Sequence, residues 1–257
     1  MTGIYFSGTG NSKYCIEYFL SKYSKNQYNI FSIEEINNKN IINNINDDYI
    51  IIAYPIYYSN MPRILIEFIN NNKIFFNNKK IFIIVTMSMF SGDGAGILAR
   101  ILKKYNADII GSLHLKMPDN ISDIKYLCSK TEKNINIINK TKIKIDKAVE
   151  LLNLGKAPKD GLTFISFLLG LLLQRLFLGN RIYKYKDKLK INETLCIGCK
   201  KCINICPMHN IYINHNNKAK NKNNCTLCYR CINECTSKAI TMLGKNVFKQ
   251  YKINDCL

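Results

Sequence analysis

The chain reads as an α/β protein, a doubly wound parallel sheet followed by a smaller module built on cysteines. Three observations predict this. Short β-branched runs alternate with helical patterns through the first 155 residues. A loop of Ser, Thr, Gly and Asn joins the first run to the first helix. Eight of the 11 cysteines crowd into two runs near the C-terminus, too regular for scattered core thiols. Continuous apolar strands between helices belong to sheets covered on both faces, and such sheets are parallel.

Residues 2 to 6 form the first strand. FSGTGNSKY follows at once and turns helical, with Tyr14, Cys15, Tyr18 and Phe19 at i, i+1, i+4 and i+5. In that loop Ser7, Thr9 and Ser12 offer hydroxyls, and Gly8 and Gly10 let the backbone come close. The amides at the helix start face an anion under a favourable dipole. The span lacks the Gly-Lys-Ser/Thr ending of a nucleotide triphosphate loop and is not G-x-G-x-x-G. A well-capped turn without a ligand is the plainer alternative. Further strands are expected at 29 to 33, 48 to 55, 80 to 87 and 108 to 116, with helices near 61 to 72, 95 to 106 and 131 to 154. Ligands of such sheets lie beyond the C-terminal strand ends, which places loops 7 to 12, 55 to 62 and 87 to 96 together.

The cysteine runs are Cys196, Cys199, Cys202, Cys206 and Cys225, Cys228, Cys231, Cys235, each spaced C-x2-C-x2-C-x3-C. That is the bacterial spacing for a pair of 4Fe-4S clusters, in which the fourth cysteine of each run reaches the other cluster. One cluster is therefore assigned to Cys196, Cys199, Cys202 and Cys235, the other to Cys225, Cys228, Cys231 and Cys206. Zinc needs only two close pairs, so a third cysteine at the same short step would be redundant. Disulfides need an oxidising compartment, and Met1 leads almost directly into a strand without an export pre-sequence, so a cytoplasmic location is expected. The runs repeat each other at an offset of 29 residues, which implies a duplicated half-module. Pro207 follows Cys206 but Thr236 follows Cys235, a change expected to loosen the backbone there or alter solvent access.

The rest of the chain is plainer. Lys and Arg total 37 against 18 Asp and Glu, yet Ile, Asn, Lys, Tyr and Phe are over-used everywhere, so the formal +19 reflects compositional drift and no nucleic acid is expected. Cluster charges reduce it further. The apolar run 162 to 178 would reach about 25 Å as a helix, short of a bilayer core of about 30 Å. It is expected to pack between the domains, with membrane attachment the lesser reading. Domain limits are set at 1–155, 156–190, 191–247 and a tail at 248–257. Cys15 and Cys128 are expected to be buried, and Cys256 to be an idle exposed thiol at a frayed end. His114, His209 and His215 are given no role.

The S-x-T-G-N-S loop, the Pro55-Ile56-Tyr57 turn and the Gly-rich loop after the fourth strand together resemble flavodoxins. Joined to the two cysteine runs, they resemble the flavodoxin-ferredoxin fusion proteins of anaerobic microbes, often called EFR-type ferredoxins. The resemblance implies a five-stranded sheet in the order 2-1-3-4-5 and a small α+β two-cluster domain. It also implies FMN, with Ser7, Thr9, Gly10, Asn11 and Ser12 at the phosphate, and Pro55, Tyr57, Thr86, Met87, Gly92 and Gly94 along the ring. Tyr57 packed on the sheet end, and Gly92 and Gly94 as a simple helix cap, are the alternatives. The function implied is an electron carrier that relays between FMN and two 4Fe-4S clusters and on to a redox partner, acidic if basic faces steer it. No catalytic residue is assigned. The alternative is an oxidoreductase, a flavin-dependent reductase of a small acceptor fed by its clusters.

Overall fold

The computed structural model describes residues 1–39, 41–90, 93–170 and 181–257. Five strands, β1 (Thr2–Tyr5), β2 (Asn29–Ser32), β3 (Tyr49–Pro55), β4 (Lys80–Met87) and β5 (Asp108–Lys116), form one sheet in the order β2-β1-β3-β4-β5. Every neighbouring pair is parallel. Alternation along β3 shows why the strands read as continuous apolar runs. Ile50, Ile52 and Tyr54 face a layer containing Ile64, Leu65 and Phe68 of α3 (Arg63–Asn71) and Leu98 and Leu102 of α4 (Gly94–Lys103). Ile51 and Ala53 face the opposite layer, with Ile16, Phe19 and Leu20 of α1 (Asn11–Tyr23) and Ile138, Ile145 and Ala148 of α5 (Thr131–Asn153). Each buried isoleucine contributes about 1.5–3 kcal/mol, so both faces are needed to stabilise the sheet.

The predicted strand 29 to 33 stops at Ser32, because Ser32 and Glu35 close a capping box. The Ser32 amide and hydroxyl donate to Glu35 Oε2 at 2.8 and 2.9 Å, and the Glu35 amide donates to Ser32 Oγ at 3.1 Å. Ile33 thereby starts a helix, α2 (Ile33–Lys39), that periodicity did not reveal.

After α5 the chain turns at Gly155, at φ 73°, and returns along β5. Ser112 donates its amide to the Pro158 carbonyl at 2.8 Å, and Asp160 donates to the Ser112 carbonyl at 3.2 Å. The segment expected only to break a helix thus covers the free edge of the sheet. Thr163 caps α6 (Phe164–Leu169) by accepting from the Ser166 amide at 3.2 Å, and Phe167 lies under the Arg100 guanidinium of α4. The rest of the predicted helix, 171 to 178, lies outside the described residues. No described helix is long and apolar enough to cross a membrane.

The second module pairs Lys190–Ile191 with Ile240–Thr241 and Ile211–Ile213 with Ala219–Asn221, both antiparallel. The 29-residue repeat is visible in its backbone. Gly198 and Leu227, Lys200 and Tyr229, and His209 and Lys238 are repeat-related pairs, and all six have positive φ. The expected loosening at Thr236 is absent. Lys238 closes the turn onto the Cys235 carbonyl at 3.1 Å, as His209 does onto Cys206 at 3.1 Å, and Gln250 also donates to the Cys235 carbonyl.

The two units dock through buried polar contacts. Asp123, 1% exposed, accepts from the amides of Met242, Leu243 and Gly244 at 2.6, 2.8 and 3.1 Å and from the Tyr229 hydroxyl at 3.0 Å. The tail is not frayed. It crosses back to the first unit, where Ile253 donates to the Thr9 carbonyl at 3.1 Å and Tyr251 to Asn11 Oδ1 at 2.6 Å. Cys256 is consequently buried at 8% exposure, against the expectation of an idle surface thiol, because it joins the α1 and α5 layer.

Candidate functional site

A cavity of about 280 Å³ opens at the C-terminal ends of β1, β3 and β4. Of the residues singled out in the sequence, Ser7, Thr9, Asn11, Ser12, Pro55, Tyr57, Thr86 and Met87 line it. Gly10, at φ 99°, lines a neighbouring cavity and packs against Ile253. Gly94 lies away from the cavity, buried at the start of α4, where its carbonyl accepts from the Tyr54 hydroxyl at 2.8 Å. Gly92 lies outside the described residues.

The loop is arranged for an anion. Four consecutive carbonyls point elsewhere: Ser7 and Gly8 accept from Arg230, Thr9 accepts from Ile253 and Gly10 accepts from Tyr14. The loop's amides and the first amides of α1 are left to a phosphate. Ser7 Oγ is buried without a hydrogen-bond partner, the kind of orphan a phosphate oxygen would satisfy. Asn11 also fastens the loop: its Nδ2 donates to the Pro118 carbonyl at 2.9 Å and its Oδ1 accepts from Tyr251 at 2.6 Å. Ser12 and Thr86 share a buried 2.7 Å hydrogen bond. The residues present fit a flavin phosphate.

The ring end of the cavity has features that local sequence did not show. Tyr57 and Asn60 exchange backbone hydrogen bonds at 3.0 Å, which forces Tyr58 and Ser59 to φ 48° and 61°. Burial, and after it the neighbouring Cys228, pushes the Tyr57 hydroxyl well above its ordinary range, so it stays neutral. Leu227 and Tyr229, both from the second module, complete the wall. Between them, the Cys228 carbonyl lies against Gly8 and accepts from Asn120 Nδ2 at 3.2 Å.

Two smaller cavities hold the cysteines: Cys206, Cys225, Cys228 and Cys231 line one, and Cys196, Cys199, Cys202 and Cys235 line the other. Among the described residues no three His, Cys, Asp or Glu side chains close on a single ion. Burial, then the charges of Cys235, Cys196 and Cys199, pushes the Cys202 thiol up to about 11. Burial likewise raises the Cys231 thiol well above its ordinary range, followed by the charges of Cys228, Cys225, Cys206 and Cys202. Backbone amides donate to Cys206 Sγ from Asn210 at 3.3 Å and to Cys235 Sγ from Ala239 at 3.4 Å, another repeat-related pair. Such bonds stabilise the more reduced cluster. His114 and its Nε2 acceptor role toward the Ala95 amide, at 3.3 Å, lie outside these sites.

Fold and site define an electron-transfer protein of the flavin and iron-sulfur class. Residues 4–110 match the flavodoxin domain and residues 188–236 the 4Fe-4S dicluster domain. The chain thus joins a flavodoxin domain to a 4Fe-4S dicluster domain. Solved structures similar to it include the two-electron reduced flavodoxin of Megasphaera elsdenii, at 20% identity and TM-score 0.41, covering 49% of this chain and 95% of that one. The FMN-bound flavodoxin of Fusobacterium nucleatum shows 16% identity and TM-score 0.41 over 60% and 98% of the two chains. Rubredoxin oxygen:oxidoreductase of Desulfovibrio gigas shows 13% identity and TM-score 0.40 over 58% and 35%. No curated protein matches the chain.

Proposed function

We propose that this protein is a one-chain relay in which electrons pass in order between FMN, the cluster ligated by Cys206, Cys225, Cys228 and Cys231, the cluster ligated by Cys196, Cys199, Cys202 and Cys235, and a redox partner. The observation that carries it is the position of Cys228: its neighbours Leu227 and Tyr229 form the wall of the flavin cavity. FMN exchanges one or two electrons and each cluster exchanges one at low potential. The protein's own residues position and insulate these groups. The loop amides and Ser7 Oγ bind the phosphate, with Thr9, Gly10 and Ser12 shaping the loop and Asn11 fastening it. Pro55, Tyr57, Thr86 and Met87 border the ring, and Leu227 and Tyr229 keep water from the path between ring and cluster.

Cytoplasmic location is supported by eight cysteines spaced as cluster ligands, which a reducing compartment keeps from pairing as disulfides. The exposure of Cys199 leaves one cluster open to oxygen, which supports an anaerobic metabolism. The reductase reading has one observation in its favour: Met89 and Phe90, 72% and 56% exposed, leave the outer mouth of the flavin cavity open to a small acceptor.

The relay is tested by photoreducing the flavin anaerobically and following cluster bleaching. A bleaching rate independent of protein concentration is expected. A rate proportional to concentration, or no bleaching, would contradict it. Steady turnover of a small acceptor by the purified protein alone would favour the reductase.

A further inference from the structure

The relay has one end in the flavin cavity, and the molecule also shows where the other end meets solvent. Of the eight cluster cysteines only Cys199 is exposed, while Cys225, Cys228 and Cys231 beside the flavin are buried. Two large apolar side chains stand next to Cys199 in the same loop with no cover: Leu195 is 50% exposed and Ile197 is 64% exposed. Gly198, at φ 70°, packs on the Asn217 carbonyl, which fixes this loop against the turn bearing Lys218.

The charge around that apolar spot is mainly positive. Lys200 is exposed and makes no ion pair among the described residues, Lys201 is exposed and pairs with Glu234 at 2.5 Å, and Lys218 donates to the Cys196 carbonyl at 2.5 Å. The loop's own carboxylate, Glu193, is engaged by Lys220 and held below its ordinary range by that hydrogen bond. Exposed apolar side chains beside a redox centre and within a basic rim have the anatomy of a transient electron-transfer interface, with a small dry centre and steering charges outside it.

Resting on the relay order proposed above, we infer that the Cys199 face is the port of the relay and that its partner is an acidic one-electron carrier protein with an apolar spot inside its acidic patch. In the forward step one electron leaves the reduced outer cluster and enters the oxidised carrier. The cluster is oxidised by one electron, the carrier is reduced by one, and no bond forms or breaks. Charge complementarity selects this partner, and a membrane surface would need the basic residues without the apolar centre.

The test uses the holoprotein with an acidic two-cluster ferredoxin as probe, mixed anaerobically in a stopped-flow instrument at low and high salt. Lys200→Glu is compared with Lys140→Glu, an equal charge change on the exposed face of α5. Ile197→Asn tests the apolar centre, and iron and FMN per chain are measured for every variant. Lys200→Glu is expected to slow exchange roughly tenfold at low salt and to flatten its salt dependence, while Lys140→Glu changes it less than twofold. Ile197→Asn should slow exchange at every salt concentration. Equal effects of the two charge reversals, or no effect of Lys200→Glu in protein with full iron, would overturn the port. Flavin-to-cluster transfer in the same samples separates the two claims: if it proceeds while the port variants are silent, only the port fails.

Discussion

The carbonyl oxygen of Cys228 occupies the space that a side chain at Gly8 would need: a Cβ on Gly8 would stand 2.3 Å from it. The phosphate loop and a cluster ligand therefore meet through bare backbone. Gly8→Ala must push the two units apart, at about 1–3 kcal/mol of stability. Because the same loop holds the flavin, FMN affinity should fall about tenfold or more, corresponding to about 1.4 kcal/mol. Fluorescence titration with FMN checks this, and unchanged affinity would show that the loop and the cysteine segment are not in contact.

Arg230 joins three segments. It donates to the Ser7 carbonyl at 2.7 Å, to the Ile205 carbonyl at 3.0 Å and to Glu34 Oε1 at 2.6 Å. Its planar fork does what a lysine ammonium cannot. Arg230→Lys and Arg230→Gln are both expected to weaken FMN about tenfold, and Arg230→Gln should cost about 2 kcal/mol by leaving Glu34 half-buried and unpaired. Glu34→Gln, which leaves the carbonyl contacts intact, should change FMN affinity less than threefold or so. An equal loss from Glu34→Gln would place the effect in the ion pair and not in the loop.

Asp123 is the fastener between the units. Asp123→Ala strands three backbone donors and the Tyr229 hydroxyl in a buried site, at about 3 kcal/mol. Chemical unfolding followed by flavin fluorescence and by cluster absorbance should coincide in the parent protein and separate in this variant. Coincident transitions in Asp123→Ala would contradict the role given to the contact.

Acid should act through His114. Burial, partly offset by Asp160, lowers its imidazole from the ordinary 6.5 to about 4, and Nε2 is occupied as an acceptor. In that interval the unfolded chain binds a proton that the folded chain refuses, so stability is present above about 6.5 and is lost as the pH falls toward 4. The loss is at most about 3 kcal/mol. His114→Gln, which can still accept from Ala95, should flatten the dependence of the unfolding midpoint on pH between 6.5 and 4. A parent midpoint that stays level across that interval would refute the shift.

Much of this architecture was legible in the residues. The β-branched runs mark all five strands because both faces of the sheet are covered, and cysteine spacing alone groups the two quartets. What escaped was long-range or hidden in one turn. Leu227 and Tyr229 reach the flavin cavity across more than 200 residues of chain, and no local pattern announces that. The bonds from Asn11 to Tyr251 and Pro118 cross more than 100 residues of chain and leave no local signal. Cys256 reads as a frayed end because its partners on α1 and α5 are distant in sequence. The α2 start was there to be found, since Ser32 and Glu35 have capping-box spacing.

The central claim is that FMN lies beside the cluster of Cys206, Cys225, Cys228 and Cys231 and farther from the other. Magnetic relaxation of the flavin radical, measured by electron paramagnetic resonance with the clusters reduced, tests it directly. Fast relaxation is predicted in the parent protein, retained in Cys199→Ser and lost in Cys225→Ser. Slow relaxation in the parent, or fast relaxation that disappears only in Cys199→Ser, would contradict the order of the relay.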